Sequence, residues 1–310
     1  MTDRKPDLLR RRLALAAMAY PSALVLQSCA APFTKPSSTT STSAARSVLS
    51  QSAEAHGSVA FDNLQDVSVS YAGKWRAAVG KLQPELVDPS FRGGSEERLL
   101  LNDGIVSQRH TGPSGHKQVV RTRAPLPAGN VRVWRNGNED ETKDGRDAAA
   151  LVADGYSLFL LGPMLLSSHW LAEHIATMEL QAVHRIRVDS LPYECDALRI
   201  QLRPGFGFSV EDDLTLFIDR ASHLMRRVRF TLNGLDSTRG GVAEVDVARY
   251  MNLQGINWPT HYYERLLRPL PLPVHEWHLT GLDFNRGLIA PELMGSNFLG
   301  KAVAPAASTG

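Results

Sequence analysis

The sequence predicts an α+β fold built on one large, curved antiparallel sheet, and three observations predict it. The second half of the chain alternates apolar and polar residues with period two, in one run after another. The first half holds shorter strand-like runs punctuated by Gly, Pro and Asn. Between the two halves lies one long apolar stretch of helical rather than strand length.

Taken in order, the first 28 residues read as an export signal. A basic stretch (Arg4, Lys5, Arg10, Arg11, Arg12) precedes an uncharged run from Leu13 to Leu26, and a small-residue region follows. The uncharged run is 14 residues long and is interrupted by Pro21, whereas a bilayer span needs roughly 20, so a cleaved signal accounts for it better than a permanent anchor. Arg10-Arg11 also leaves a twin-arginine route open beside the general secretory one. From Ala30 to about His56 the chain is rich in Ser, Thr and Ala and poor in aliphatic residues. It therefore reads as a flexible tether, residues 29–56, that cannot bury enough surface to order itself. Residues 57–300 are expected to form a single domain and 301–310 a loose tail.

Within that domain, Val67, Val69 and Tyr71 alternate with Ser68 and Ser70, and Trp75 to Leu82 has helical spacing up to Pro84. Strand-like runs follow at Glu97–Leu101, Ile105–Arg109, Lys117–Arg123 and Asn130–Trp134. The polar stretch Asn136–Asp147 is expected as a loop, with Asp147 capping a helix over Ala148–Leu161 that Pro163 ends or kinks. Asp154 and Gly162-Pro163 exclude that helix as a second membrane anchor. It is either a buried core helix or the wall of an apolar cavity. A short helix is expected at His169–Met178. Then comes the meander. Leu198, Ile200 and Leu202 alternate with Arg199, Gln201 and Arg203; Leu214, Leu216 and Ile218 with Thr215, Phe217 and Asp219. Val228, Phe230 and Leu232 alternate with Arg227, Arg229 and Thr231; Val245 and Val247 with Glu244 and Asp246.

The formal charge of +2 is mostly an export feature, because residues 1–28 hold five Lys/Arg and two Asp, a net of +3, which leaves the chain from Cys29 at −1. A near-neutral body offers no footprint for nucleic acid. With Cys29 committed elsewhere, Cys195 stands alone, so it has no intramolecular disulfide partner and reads as a small packed residue. No catalytic motif, metal site or cofactor signature is present. His169 and His174 are five apart and leave one helical face, and His275 and His278 point to opposite sides of a strand. No HExxH, CxxC or Gly-x-Ser-x-Gly occurs. Glu211-Asp212-Asp213 reads as a solvated turn, and Arg226, Arg227 and Arg229 as exposed hairpin arginines with cross-strand partners.

Two stretches carry a resemblance. Leu26-Gln27-Ser28-Cys29 resembles the lipobox of bacterial lipoproteins, with an aliphatic residue, then a small residue before the cysteine that is acylated. That resemblance implies lipidation of Cys29 and, with Ala30 following, an outer-membrane address facing the periplasm in a host with two membranes. Several acyl chains on one cysteine hold a protein stably where one chain does not. From Leu198 to Glu264 the order "RIQLRPG", "LTLFID", "RASH", "LMRRVRFTLNG", "VAEVDVARY", "NLQGI" and "NWPTHYYE" resembles the lipoprotein carrier and receptor superfamily with the Lol-type fold. Ile218-Asp219, Arg229-Phe230, Gly255 and Pro259 stand at its turn and strand positions. The resemblance implies an open half-barrel with helices covering its concave face, and an apolar cavity for acyl chains. Against that frame the segment from Arg268 to Phe284 looks like an addition, a Pro-rich approach to one more strand.

The chain is therefore expected to be a non-catalytic envelope lipoprotein that holds a lipid or other apolar ligand, with Trp75, Tyr156, Phe159, Leu160, Met164, Phe217 and Phe230 at the pocket and Arg227 or Arg229 meeting a lipid headgroup at its rim. Two alternatives stay open at this point. One is an envelope assembly protein that holds a protein partner by a sheet edge or the Pro-rich segment. The other is a hydrolase with a scattered triad, whose members need not be neighbours in sequence.

Overall fold

The computed structural model describes residues 42–123, 129–169 and 171–296. Cys29, the export signal, residues 29–41 and the tail 301–310 lie outside the described residues. The chain opens with helix α1 (Thr42–His56) and the single turn α2 (Ser58–Phe61), then strand β1 (Asp66–Trp75) and two short helices, α3 (Ala77–Leu82) and α4 (Pro84–Val87). Strands β2 (Gly94–Leu100), β3 (Ile105–Gly112), β4 (Gly115–Thr122), β5 (Asn130–Arg135) and β6 (Asn138–Glu139) precede the long helix α5 (Lys143–Ser167). After it come β7 (Ile175–Leu180), β8 (His184–Val188), β9 (Leu191–Leu202), β10 (Asp212–Asp219), β11 (Met225–Thr231), β12 (Val242–Leu253), β13 (Ile256–Arg268), β14 (Leu272–Phe284) and the turn α6 (Ala290–Leu293).

All 14 strands join one antiparallel, unclosed sheet in the order β6-β5-β4-β3-β2-β1-β14-β13-β12-β11-β10-β9-β7, with β8 also on β9. Helix α5 touches β4 and β5 near one end of this order and β11 and β13 in the other half. The sheet must curve around it to do so. The result is an open half-barrel with helices against its concave face, the arrangement that the resemblance in the second half implies. β14 is no addition. It pairs with β1 on one side and β13 on the other, and so joins the N-terminal strands to the meander.

Helix α5 is apolar on every side because every side is covered. Leu158, Leu160, Leu161 and Leu165 are all but fully buried, each stabilising the fold by about 1.5–3 kcal/mol relative to exposure. It is long and apolar enough to cross a membrane, yet nearly all of that stretch is inside the protein. The helix begins five residues before the expected start, with Thr142 at the N-cap position and no side-chain cap bond, and Asp147 lies within it, accepting a hydrogen bond from Lys143 Nζ at 2.6 Å. Its kink falls at Gly162 (φ 49°, ψ −125°), the residue before Pro163. This combination is open essentially to glycine alone, which is why the break falls one residue before the proline.

Three further expectations are corrected. Residues 42–56 are not tether but helix α1, held by a stripe at helical spacing (Ala45, Leu49, Ser52, Ala53, His56) that packs on α5. Ser52 Oγ donates to the carbonyl of His223 at 2.7 Å, and burial pushes His56 down to about 4, so it packs as the neutral ring beside Tyr250. Small residues suffice there because the helix docks closely. The helix expected at His169–Met178 is a 3-10 turn, Ala172–His174, followed by β7, since pairing with β9 overrides local helix preference. Asp212 is not solvated: it is fully buried, accepts from the Phe206 amide at 2.8 Å and Thr231 Oγ1 at 2.6 Å, and is pushed up to about 6 chiefly by burial.

Candidate functional site

Between α5, the α3–α4 pair and the concave side of β11–β14 lies a cavity of about 300 Å³. The helix presents Leu151, Gly155 and Phe159 to it, four residues apart and hence on one stripe, with Val152 and Tyr156 beside them. The sheet supplies Phe230, Leu232, Leu266 and Val274, and the short helices supply Val79, Leu86 and Val87. Its open side is formed by Ser237, Arg239, Gly240, Arg268 and Pro269, which are exposed. Across that side Gln83 and Ser237 exchange two hydrogen bonds, of 3.1 and 3.2 Å, and tie α3–α4 to the β11–β12 loop. The walls are predominantly apolar with few polar groups, as small-molecule sites are.

The polar groups gather at the buried end. Arg92, 6% exposed, is held by the carbonyl of Leu86 (2.6 Å), by the Tyr156 hydroxyl (3.3 Å) and by stacking of its guanidinium 4.6 Å from the Trp75 ring. Trp75 in turn donates from Nε1 to the Arg92 carbonyl at 3.1 Å and stacks on His275 at 3.9 Å. Glu264, an inward-facing residue of β13, lines the same cavity, and burial raises its carboxyl to about 7 against the pull of Arg92. Glu97 on β2 is likewise pushed up to about 7, first by burial. His275 is pushed down to about 2 by burial and by Arg92, and His110 falls well below its usual value for the same reasons. His275 Nδ1, His110 Nε2 and Glu97 Oε1 are buried without a hydrogen-bond partner among the described residues. Beyond this end the interior is aromatic: Tyr262 stacks on Trp277 at 4.8 Å, and Tyr156 on Trp277 at 5.5 Å.

Of the residues expected at a pocket, the structure brings four together: Trp75, Tyr156, Phe159 and Phe230 all line this cavity. Leu160 is buried in the core on another side of α5, and Met164 lines a separate concavity with Leu49, Ala53 and Phe61 of α1 and α2. Phe217, Arg227 and Arg229 lie on the opposite face of the sheet. Phe217 packs there with Ile186, Val188 and Cys195 under the β8–β9 hairpin. Arg227 and Arg229 form a ladder with Asp246 and Glu244 of β12 and Arg265 of β13. They therefore stand far from any rim of this cavity, and cross-strand pairing is what they do. Cys195 is fully buried in the same outer cluster, its thiol pushed up to about 12 by burial, which makes it a packing residue rather than a nucleophile. Among the described residues no group of three or more His, Cys, Asp and Glu is placed to hold a metal ion.

Sequence reasoning missed Arg92 and Glu264 of the cavity lining and His275 beside it. Glu264 had a signal, since it shares the period-2 face of β13 with the core residues Tyr262 and Leu266. Arg92 had none, because it sits in the irregular stretch between α4 and β2.

No protein-family model matches the chain, and no curated protein matches it. Among solved structures the chain is similar to a DUF1329 family protein from Desulfovibrio piger, with 12% identity over 81% of this chain and 96% of that one and a TM-score of 0.49. It is also similar to a LolA superfamily protein from Nitrosomonas europaea (12% identity, 80% and 96% covered, TM-score 0.37). A third is the lipoprotein LppX of Mycobacterium tuberculosis (10% identity, 80% and 99% covered, TM-score 0.28). Likeness at this level carries no functional weight, and the chemistry is read from the cavity's own residues.

Proposed function

We propose that this protein is a non-catalytic cell-envelope lipoprotein, anchored through acylated Cys29 with its body facing the periplasm, and that it binds a lipid or other apolar ligand in the cavity between α5 and the concave sheet. The observation that carries the binding reading is the cavity itself: about 300 Å³, entered from one exposed side, with predominantly apolar walls from helix α5, the short helices and the sheet.

Gly155 supplies the test. A Cβ added there meets only the ring of Phe159, at 3.6 Å, and the position lines the cavity. Gly155→Leu is therefore expected to fill the cavity, to abolish uptake of a fluorescent fatty-acyl probe, and to leave stability unchanged or raised by up to about 1 kcal/mol, the helix-propensity gain over glycine. Wild-type protein purified gently is expected to carry lipid detectable by mass spectrometry. Wild-type protein that is clean and takes up no probe, or a Gly155→Leu variant that takes it up undiminished, overturns the binding reading. The anchor is tested separately. Cys29→Ala is expected to lose acyl labelling and move to the soluble fraction, and retention on the membrane defeats that part.

A further inference from the structure

Resting on that ligand-binding reading, the geometry points to the ligand class: a single-chain amphiphile with a monoanionic carboxylate head, the head against Arg92 and the chain along the Leu151–Gly155–Phe159 stripe. Arg92 is a buried guanidinium that makes no ion pair among the described residues. Two of its five N–H groups reach Leu86 and Tyr156, so the fork keeps donors for a further acceptor. A buried charge without a counter-charge is costly, and an arriving anion relieves that cost.

None of the groups facing Arg92 supplies the missing charge in mildly acid solution. Glu264 on β13 and Glu97 on β2 are held up to about 7 by burial and are mostly protonated at pH 6. His275 on β14 and His110 on β3 are pushed down and stay neutral. Tyr156 on α5 stays protonated, and Lys117 on β4 spends its charge on Asp88 at 2.8 Å. The inner end of the cavity is thus a single net cation at the foot of an apolar slot. A carboxylate matches the planar guanidinium fork, an ammonium head is repelled, and a hydroxyl leaves the charge uncompensated. The volume of about 300 Å³ is at the lower bound for ligand pockets, which favours one chain over two.

The experiment is calorimetric titration of the wild-type protein at pH 6 with three probes that share one chain: dodecanoate, dodecanol and dodecyltrimethylammonium. Dodecanoate is expected to bind roughly 10- to 100-fold more tightly than dodecanol, the range that one charge-assisted hydrogen-bonded contact spans, and the ammonium probe more weakly than either. Arg92→Gln is expected to abolish the preference, bringing the affinities for dodecanoate and dodecanol within about twofold of each other, whereas Arg239→Gln and Arg268→Gln are expected to keep it. Equal binding of dodecanoate and dodecanol by the wild-type protein overturns this inference and leaves apolar ligand binding standing. So does a preference that survives Arg92→Gln. Failure of all three probes to bind overturns both. The wild-type head-group series decides the matter even if the Arg92 variant does not fold.

Discussion

Asp154→Ala is expected to lower the unfolding free energy by about 3–5 kcal/mol, the cost of removing one partner from a buried ion cluster, as measured by urea denaturation at pH 7. Asp154 is fully buried in the middle of α5. Its Oδ2 accepts from Arg121 Nη2 at 3.0 Å and from the Gly207 amide at 2.8 Å, and its Oδ1 accepts from Arg123 Nη2 at 3.1 Å. One carboxylate thus clips the helix to β4, to the residue after β4 and to the loop between β9 and β10. Alanine takes the carboxylate charge away from two buried guanidiniums, and the hydrogen bonds that Arg121 keeps to the carbonyls of Thr122, Asn130 and Gly207 do not replace it. Burial by itself would raise the Asp154 carboxyl; Arg123 and Arg121 outweigh it and hold the carboxyl below the usual range. The sign of the pH dependence follows. A carboxyl depressed in the folded state contributes stability above its unfolded pKa and loses it as pH falls through the folded value, so the gap between wild type and variant narrows in acid. Coincident urea midpoints at pH 7 would defeat this account of the cluster.

The same residue shows how much was legible beforehand. Asp154 alone does not exclude a membrane span, since the helix is long and apolar enough to cross one and it is burial inside the protein that argues against it; its partners Arg121 and Arg123 sit on β4 and just after it, some thirty residues earlier, and no local pattern links them. The meander β9–β12 was legible because period two is a local signal and the buried face reads directly from it. That signal also placed Phe217, Arg227 and Arg229 on the face opposite Leu216, Val228 and Phe230, which is where they are; assigning them to the cavity ran against the alternation. Trp75, Tyr156, Phe159 and Phe230 were placed at a pocket from size and apolarity alone, and they line the cavity. Helix α1 was not legible: Ser and Ala carry little hydrophobic signal, and the helix exists through docking on α5 and hydrogen bonds to residues some 170 positions away, such as Ser52 to His223. β7 was misread because its local helical preference loses to pairing with β9. The polar cluster around Arg92, of which Arg92 and Glu264 line the cavity, was invisible for a related reason. Arg92, Glu97, His110, Glu264 and His275 come from a loop and four different strands, and only the curvature of the sheet brings them together.

Glu264→Gln is expected to be nearly neutral at pH 4 and to stabilise the protein progressively above it, by about 2–3 kcal/mol at pH 8 from the linkage of roughly 1.4 kcal/mol per pKa unit. The folded carboxyl is raised to about 7 from an ordinary 4.5, mainly by burial, with Arg92 pulling the other way. Below pH 4.5 both folded and unfolded chains hold the proton, and the residue contributes no pH dependence. Between 4.5 and 7 the folded state binds more protons than the unfolded state, so wild-type stability falls as pH rises; above 7 the loss is complete and the curve levels. Glutamine resembles the protonated carboxyl in shape and polarity but cannot ionise, so the variant escapes that decline. The side chain is enclosed by protein yet keeps partial contact with the cavity space, and water admitted there trims the gain toward the lower figure. Urea denaturation of wild type and variant at half-unit steps from pH 4 to 8 reads the difference directly. A difference that stays flat across that window would show that Glu264 is not held neutral by burial, and that the cation at Arg92 is already compensated from within the protein.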